Sequence, residues 1–163
     1  CKGVGMNVVG FDPYVAQGKM TALDIDIVDL DTIWKKADFI SVHTPFTDAT
    51  NNLINADVIK KLNPGLFIIN CARGGIVNSM DLYDALIKEE LAGAALDVFD
   101  HEPPVGNPLL TLDKVVTTPH IGAFTKEAIN NQCRQAVLNV IDVLHGRRPA
   151  FTLNPEVFKE EMI

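Results

Sequence analysis

The sequence predicts an α/β domain built on a doubly wound parallel sheet. Short apolar runs alternate along its 163 residues with amphipathic stretches, which is typical of parallel strands covered by helices. The runs are continuous rather than alternating, as in strands that are buried on both faces. Because crossovers between parallel strands are right-handed, such units build a sheet with helices on both sides.

The first half of the chain contains three predicted strands, at residues 6–11 (MNVVGF), 25–28 (IDIV) and 39–43 (FISVH), with a polar loop before the second. Asp29 or Asp31 is placed to cap a short helix after the second strand. Residues 55–62 (NADVIKKL) have a capping asparagine and apolar positions at helical spacing, and the Asn-Pro-Gly turn that follows ends this helix.

The second half contains three further predicted strands, at residues 66–70 (LFIIN), 93–99 (GAALDVF) and 115–118 (VVTT). Asn78 or Ser79 begins a helix that runs to residue 87, with Ser79 as a capping residue. Thr125 caps the longest helix, and Gly146 ends it. The apolar stripe of that helix comprises Ile129, Cys133, Ala136, Val137, Val140, Ile141 and Leu144.

Composition and charge argue against several classes of function. Acidic residues outnumber basic ones, 21 to 14, and the net charge of −7 disfavours general binding to nucleic acid or to an anionic membrane. The apolar runs are too short to span a bilayer, and the first residues do not form a signal peptide. Cys1, Cys71 and Cys133 are too scattered for a disulfide framework, so we expect a reducing, cytoplasmic compartment. The histidines and cysteines lack the spacing of metal ligands, so we predict no metal.

Residues that directly follow the strands are the candidates for binding and chemistry, because ligands bind a doubly wound sheet beyond the carboxyl ends of its strands. The residues at these positions are Asp12, His43, Thr44, Pro45, Cys71, Ala72, Arg73, Asp97, Thr118, Pro119 and His120. His43 is interpreted as lining the cleft, and only its position supports a nucleophilic role for Cys71. His101 is interpreted as a loop residue and His145 as the end of a helix.

Asp12 ends the first apolar strand and precedes a proline. In dinucleotide-binding sheets an acid at the end of the second strand hydrogen-bonds the adenosine ribose. A turn or capping aspartate is the alternative, and the residues alone leave both open. The earlier Gly3-Val4-Gly5 is not the matching phosphate loop, because Val8 stands where the third glycine is needed and the stretch precedes a strand. We interpret it as a turn, so the phosphate loop that would pair with Asp12 lies outside this sequence.

Arg73 lies in NCARGG, directly after a buried strand, where a guanidinium is costly unless it has a ligand or a partner. Its planar fork suits a carboxylate, and a structural ion pair is the alternative. Glu102 lies in the loop DHEPP, and His120 follows the sixth strand in TTPHIGA. A carboxylate bonded to one imidazole nitrogen fixes the tautomer, and the other nitrogen can then donate a proton near neutral pH. The three groups predict a site for proton transfer to a bound acid.

Five segments carry a resemblance to a known family. They are VVGFDP, ADFISVHTPFT, LNPGLFIINCARGGIV, AGAALDVFDHEPP and VVTTPHIGAFTKEA, in this order from Val8 to about Ala128. With them the sequence resembles the D-isomer-specific 2-hydroxyacid dehydrogenase family. The resemblance implies a Rossmann-like NAD-binding domain that lacks its first strand and phosphate-binding loop. It implies a partial dinucleotide-binding domain at residues 1–146, and a C-terminal tail at 147–163 that would return to a substrate domain outside this sequence.

The resemblance also implies a role for each candidate residue. Arg73 would hold the carboxylate and carbonyl of the substrate, His120 would be the general acid and base, and Glu102 would orient the histidine. Asp12 would bind the ribose and favour NAD over NADP. Asp97 would bond the nicotinamide carboxamide. The implied lining of the cofactor cleft comprises Thr44, Pro45, Cys71, Ala72, Arg73, His120, Gly122 and Ala123.

The implied activity is reversible hydride transfer between nicotinamide and a small D-2-hydroxy or 2-keto acid, in a homodimer or homotetramer that forms through the nucleotide domain. Within the family the sequence most resembles the members that act on D-3-phosphoglycerate, and glyoxylate or hydroxypyruvate reduction is the alternative. Phe124 stands where phosphoglycerate-specific members often have serine, which weakens the prediction of the substrate but not that of the reaction. A regulatory protein that senses NAD is a second alternative, since the C-terminal-binding corepressors resemble this family. We expect no nucleic-acid or membrane partner.

Overall fold

The computed structural model describes residues 1–15, 18–20 and 24–158. The chain divides into two compact units, Cys1–His120 and Ile121–Ile163. The first unit contains every strand among the described residues, and the second contains the longest described helix. The functional boundary predicted between residues 146 and 147 is a different division, and it stays a prediction.

A small sheet of three strands opens the first unit. Its strands are β1 (Val9–Gly10), β2 (Gly18–Met20) and β3 (Ile25–Ile27). The order is β1-β3-β2, with β1 parallel and β2 antiparallel to β3. The sequence predicted a longer first strand and a polar loop at β2. The pattern missed β2 because this strand exists through its backbone pairing with β3 rather than through an apolar run.

A second sheet of four parallel strands follows. Its strands are β4 (Phe39–Val42), β5 (Phe67–Asn70), β6 (Gly93–Leu96) and β7 (Val115–Thr117), in the order β4-β5-β6-β7. All four were predicted. Strands β4, β6 and β7 end one to three residues before the predicted limit, and β5 begins one residue later than predicted. The sequence predicted a single sheet, but the described strands form two. No described strand pairs with a strand of each sheet and so joins them. The fold is α/β with parallel strands.

Four α-helices accompany the strands in the part of the chain that the structure describes, and each has a side-chain cap at its first turn. They are α1 (Leu30–Lys36), α2 (Ala56–Ile59), α3 (Ser79–Ile87) and α4 (Lys126–Leu144). Their caps are Asp29, Asn55, Asn78 and Thr125, whose side-chain oxygens accept from backbone N–H groups two or three residues ahead. Ser79 was therefore wrongly predicted as a cap, because it is the first residue of α3. Helix α2 ends earlier than predicted, since Lys61 N and Leu62 N bond to carbonyls three residues back and tighten the turn.

The hydrophobic core of the first unit lies between the four-stranded sheet and α1, α2 and α3. Leu66 and Ile68 are fully buried in it, with Leu82 and Leu86 from α3, and each such side chain contributes about 1.5–3 kcal/mol through burial. Burial alternates along β4, where Ile40 and Val42 are buried but the residues between them are not. The prediction that strands are buried on both faces is therefore wrong for β4 within the described residues.

The second unit contains α4, which is 19 residues long. It ends at His145 and the left-handed Gly146 (φ 70°), as predicted. Among the described residues, no helix has the length and apolar character needed to cross a membrane.

The four parallel strands bring their carboxyl ends to one edge of the sheet. Val42 pairs with Asn70, Asn70 with Leu96, and Leu96 with Thr117. The segments that follow these strands therefore start side by side, which is the arrangement that positions the candidate site.

Candidate functional site

Glu102 and His120 form a hydrogen-bonded pair at this edge. The Oε2 atom of Glu102 lies 2.8 Å from Nδ1 of His120, and the side chains are 36% and 47% exposed. Glu102 Oε1 accepts a second bond, 3.0 Å long, from the backbone N–H of Phe99. His120 itself has a left-handed backbone (φ 54°), a conformation that costs energy in a residue other than glycine and is concentrated at functional sites.

The two bonds to Glu102 determine which form of the pair is present. The hydrogen bond from His120, followed by the one from the Phe99 N–H, holds the pKa of Glu102 below its ordinary value. The carboxylate is therefore ionised at neutral pH and can only accept hydrogen bonds. Nδ1 of His120 must then be the donor, which leaves Nε2 to give or take a proton.

Asp97 follows β6 directly and is 5% exposed. The hydroxyl of Thr118, which follows β7, donates a 2.5 Å hydrogen bond to Asp97 Oδ1. This bond joins the ends of two neighbouring strands just before His120. It places a buried carboxylate, at the position predicted for nicotinamide binding, beside the segment that carries the histidine.

Arg73 projects from a braced loop at the end of β5. The side chain of Asn70, which is 2% exposed, accepts from Ala72 N (3.0 Å) and donates to the carbonyl of Arg73 (2.9 Å). The guanidinium is exposed, and its Nη1 donates to the Ala72 carbonyl at 2.6 Å. In the part of the chain that the structure describes, it forms no ion pair. The alternative of a structural ion pair therefore has no partner there, and the guanidinium fork is available to an acid.

Two polar side chains that support this loop were not singled out by the sequence. From the sequence, Asn70 was assigned only to the end of a strand and Asp100 only to the DHEPP loop, and neither residue was given a role. Asp100 accepts from the backbone N–H of Gly75 (2.5 Å) and from the hydroxyl of Ser79 (2.6 Å). A buried asparagine at the end of an otherwise apolar strand was the one available signal, since buried amides need partners.

Asp12 lies two residues beyond β1 and is exposed. Its Oδ1 accepts from Tyr14 N at 2.8 Å, which is the turn aspartate of the alternative interpretation. Among the described residues nothing donates to Oδ2. The turn bond therefore holds the side chain and leaves one carboxylate oxygen for a hydroxyl ligand.

Thr44 has a buried hydroxyl oxygen with no hydrogen-bond partner in the described residues. A buried polar atom without a partner costs about 1–3 kcal/mol, so this atom is suited to a ligand in the cleft predicted for the cofactor. Pro45, the next residue in the chain, is exposed. Cys71, which directly follows β5, is also exposed, whereas Ala72 is buried. The structure therefore fits a cofactor at this edge. Gly122 and Ala123 belong to the second unit.

His43 is exposed, and its Nε2 lies 2.8 Å from Ser41 Oγ. Within the described residues, no group of three or more histidine, cysteine or acidic side chains is arranged to hold a metal ion.

Comparisons with known proteins show which family and fold this chain is similar to. The family model for the NAD-binding domain of D-isomer specific 2-hydroxyacid dehydrogenases matches residues 1–122. The D-3-phosphoglycerate dehydrogenase of Methanocaldococcus jannaschii is 44% identical over 163 residues, which cover 99% of this chain and 31% of that protein. The hydroxypyruvate reductase of Thermotoga maritima is 44% identical over 127 residues, which cover 76% of this chain and 40% of that protein.

The fold is also similar to that of a solved enzyme. The D-lactate dehydrogenase of Lactobacillus jensenii, crystallised with NAD⁺, superposes with a TM-score of 0.84 at 28% identity. The match covers 93% of this chain and 49% of that one. The chain therefore spans less than half the length of each of these three proteins.

Proposed function

The chain belongs to the D-isomer specific 2-hydroxyacid dehydrogenases and has NAD as its cofactor, and from this premise we propose that the whole protein reduces a 2-keto acid to a D-2-hydroxy acid and catalyses the reverse oxidation. The observation that carries the proposal is the Glu102–His120 pair at the strand edge from which Arg73 also projects.

The protein side of the reaction follows from three side chains. Arg73 binds the carboxylate of the substrate through its planar fork. His120 donates the Nε2 proton to the carbonyl oxygen as that oxygen gains negative charge, and recovers the proton from the hydroxyl in the reverse direction. Glu102 accepts from Nδ1 and stabilises the positive charge that the imidazole carries when both of its nitrogens hold a proton.

The cofactor-binding residues fit NAD in the same frame. The second carboxylate oxygen of Asp12 would accept from a ribose hydroxyl and would repel a 2′-phosphate. The hydroxyl of Thr44 would gain a partner, and Asp97 would bind the nicotinamide carboxamide. When bound, the reduced nicotinamide supplies the hydride that forms the new C–H bond at C2 of the substrate. The role of Asp12 is tested by comparing kcat/KM with NADH and with NADPH as the hydride donor. Asp12→Ala should reduce the ratio of the two values.

We propose D-3-phosphoglycerate as the substrate, because dehydrogenases of that substrate from several organisms are 36–46% identical to this chain. Hydroxypyruvate is the second candidate, supported by the Thermotoga maritima reductase at 44% identity. The whole protein should be a homodimer or homotetramer, which sedimentation would measure.

The test is oxidation of NADH by the full-length protein with 3-phosphohydroxypyruvate, hydroxypyruvate and glyoxylate in parallel. We expect turnover with at least one of them and the highest kcat/KM with the phosphorylated acid. His120→Asn should lower kcat by at least about a hundredfold, since general acid catalysis contributes that much, and should change the Kd of NADH far less. His145→Asn, at the end of α4, is the matched control and should behave as wild type. Full turnover by the His120 variant would contradict the proposed mechanism.

A further inference from the structure

We propose that Asp100 is a positioning residue for substrate binding, which holds the Arg73 loop (residues 71–75) against the segment that carries Glu102. The inference rests on the proposed function, because it assigns Asp100 a role in how Arg73 meets a 2-keto acid. Asp100 neither contacts the guanidinium nor belongs to the Glu102–His120 pair.

Both carboxylate oxygens of Asp100 are used for this contact. Oδ1 accepts from the backbone N–H of Gly75, and Oδ2 accepts from the hydroxyl of Ser79 at the start of α3. The partners lie 25 and 21 residues earlier in the chain, so the bonds connect the loop after β6 with the loop after β5. Hydrogen bonds to a carboxylate are stronger than bonds between neutral groups, so the two bonds are a strong polar link from the segment after β6 to the end of the Arg73 loop and the start of α3.

The backbone around these bonds is closely packed. A Cβ atom on Gly74 would overlap the carbonyl of Phe99, so the loop and the 99–102 segment are in direct contact at that point. Gly75 has a left-handed backbone (φ 77°). Its carbonyl accepts from Asn52 N at 2.8 Å while its N–H donates to Asp100. Both peptide groups that flank Gly75 are therefore hydrogen-bonded to other segments, two residues after Arg73.

The same segment also holds the proton-transfer pair. The N–H of Phe99 donates to Glu102 Oε1, and Glu102 Oε2 bonds His120. Asp100 stands between Phe99 and Glu102 in the chain. The four residues 99–102 thus fix the Arg73 loop at one end and the histidine at the other, which sets the guanidinium and Nε2 in one frame. Substrate-positioning groups matter in this way because a displacement of about 1 Å can lower the rate by about a hundredfold.

The two ends of the Arg73 loop have separate supports, and this separation makes the role of Asp100 testable. Asn70 holds the start of the loop, at Ala72 and the Arg73 carbonyl, and these positions border the cofactor cleft. Asp100 holds the end of the loop at Gly75. Loss of Asp100 should therefore disturb keto acid binding and leave cofactor binding intact.

The experiment compares four variants of the full-length enzyme, Asp100→Ala, Asp100→Asn, Arg73→Lys and the double variant Asp100→Ala/Arg73→Lys. Asp84→Asn on α3, an exposed acid paired with Lys88, is the matched control for loss of one charge. The measurements are kcat and KM for 3-phosphohydroxypyruvate, or for whichever of the three keto acids gives the highest kcat/KM. The Kd of NADH is measured by fluorescence.

We expect Asp100→Ala to raise KM for the keto acid at least about tenfold, with the Kd of NADH within about twofold of wild type. Asp100→Asn should keep KM for the keto acid close to the wild-type value, because the asparagine carbonyl can accept from Gly75 N and its amide can donate to the Ser79 hydroxyl oxygen. In the Arg73→Lys background, Asp100→Ala should raise KM no further, because its effect passes through the guanidinium. The control should match wild type.

An unchanged KM in Asp100→Ala, or the same rise in KM with and without Arg73, would overturn the inference while leaving the proposed function standing. Absence of turnover by the wild type with all three keto acids would overturn both. If Asp100→Ala does not fold, Ser79→Ala replaces it in the comparison with Asp100→Asn. We then expect a rise in KM of a few-fold for the serine variant, since one of the two bonds is lost, and a wild-type KM for Ser79→Ala overturns the inference.

Discussion

Replacing Glu102 by glutamine should put His120 in the wrong tautomer. Glu102 accepts two hydrogen bonds, from Phe99 N and from His120 Nδ1, through different oxygens. Glutamine has one carbonyl oxygen and one amide. If the oxygen continues to accept from Phe99 N, the amide faces Nδ1 and can bond it only when Nδ1 carries no proton. The neutral imidazole then carries its proton on Nε2, where the oxidative direction needs a lone pair.

The size of the effect follows from the same two bonds. A hydrogen bond to a charged group contributes about 1.5–3 kcal/mol, and exposure of 36% and 47% for the two side chains places this pair at the lower end, since solvent screens it. About 1.4–2 kcal/mol corresponds to a ten- to thirtyfold loss of kcat. Breaking the amide–Nδ1 bond to restore the active tautomer costs about 0.5–1.5 kcal/mol more, which is roughly another two- to tenfold. We therefore expect kcat to fall by about 20- to 300-fold.

The assay is steady-state turnover by full-length Glu102→Gln from pH 5 to 9 in both directions, with NAD⁺ reduction by the hydroxy acid and NADH oxidation by the keto acid. Urea unfolding is followed over a wider range, from about pH 2 to 9, so that it covers the titration of Glu102. The lowered pKa of Glu102 means that its contribution to the stability of the wild type is fully present above the ordinary carboxyl range and is lost as the pH falls through the lowered pKa. The variant has no such loss, so the two unfolding free energies should converge at acidic pH. A kcat within threefold of wild type in both directions would refute the tautomer argument.

Two further predictions concern the cofactor cleft and the Arg73 loop. Thr44→Val should leave the apoprotein as stable or up to about 1 kcal/mol more stable, because a buried hydroxyl without a partner is removed. It should also weaken NADH binding, and equal affinity in calorimetry would contradict the role given to this hydroxyl. Gly74→Ala should destabilise by at least about 1–3 kcal/mol, since the new methyl group overlaps the Phe99 carbonyl. A melting temperature equal to that of wild type would show that the loop relaxes freely.

The elements that depend on neighbouring residues in sequence were predictable. The caps Asn55 and Thr125 and the four strands of the larger sheet follow from local propensity and periodicity. The convergence of strand ends also followed, because parallel strands joined by right-handed crossovers leave their carboxyl ends on one edge. For that reason Arg73 and His120 could be placed at one edge before any coordinates were known.

The features that depend on pairing between distant segments were not predictable. Strand β2 owes its existence to the backbone of β3, and the division into two sheets depends on which strands lie side by side. The role of Ser79 was likewise decided by a residue that is distant in sequence. It has the residue type and position of a cap, but its hydroxyl bonds Asp100, and Asn78 provides the capping oxygen instead.

Three aspartates near element ends show why sequence motifs identify the reacting groups more readily than their supports. Asp29 caps a helix, Asp97 is buried against the hydroxyl of Thr118, and Asp100 braces a loop from 25 residues away. The residue type and the distance from a strand or helix end are similar in all three, and the tertiary neighbours decide the role. A chain that kept Arg73 and His120 but lost the supports would therefore retain the motifs and lose the geometry, because Asn70 and Asp100 hold the loop that carries Arg73, and Glu102 holds the imidazole of His120.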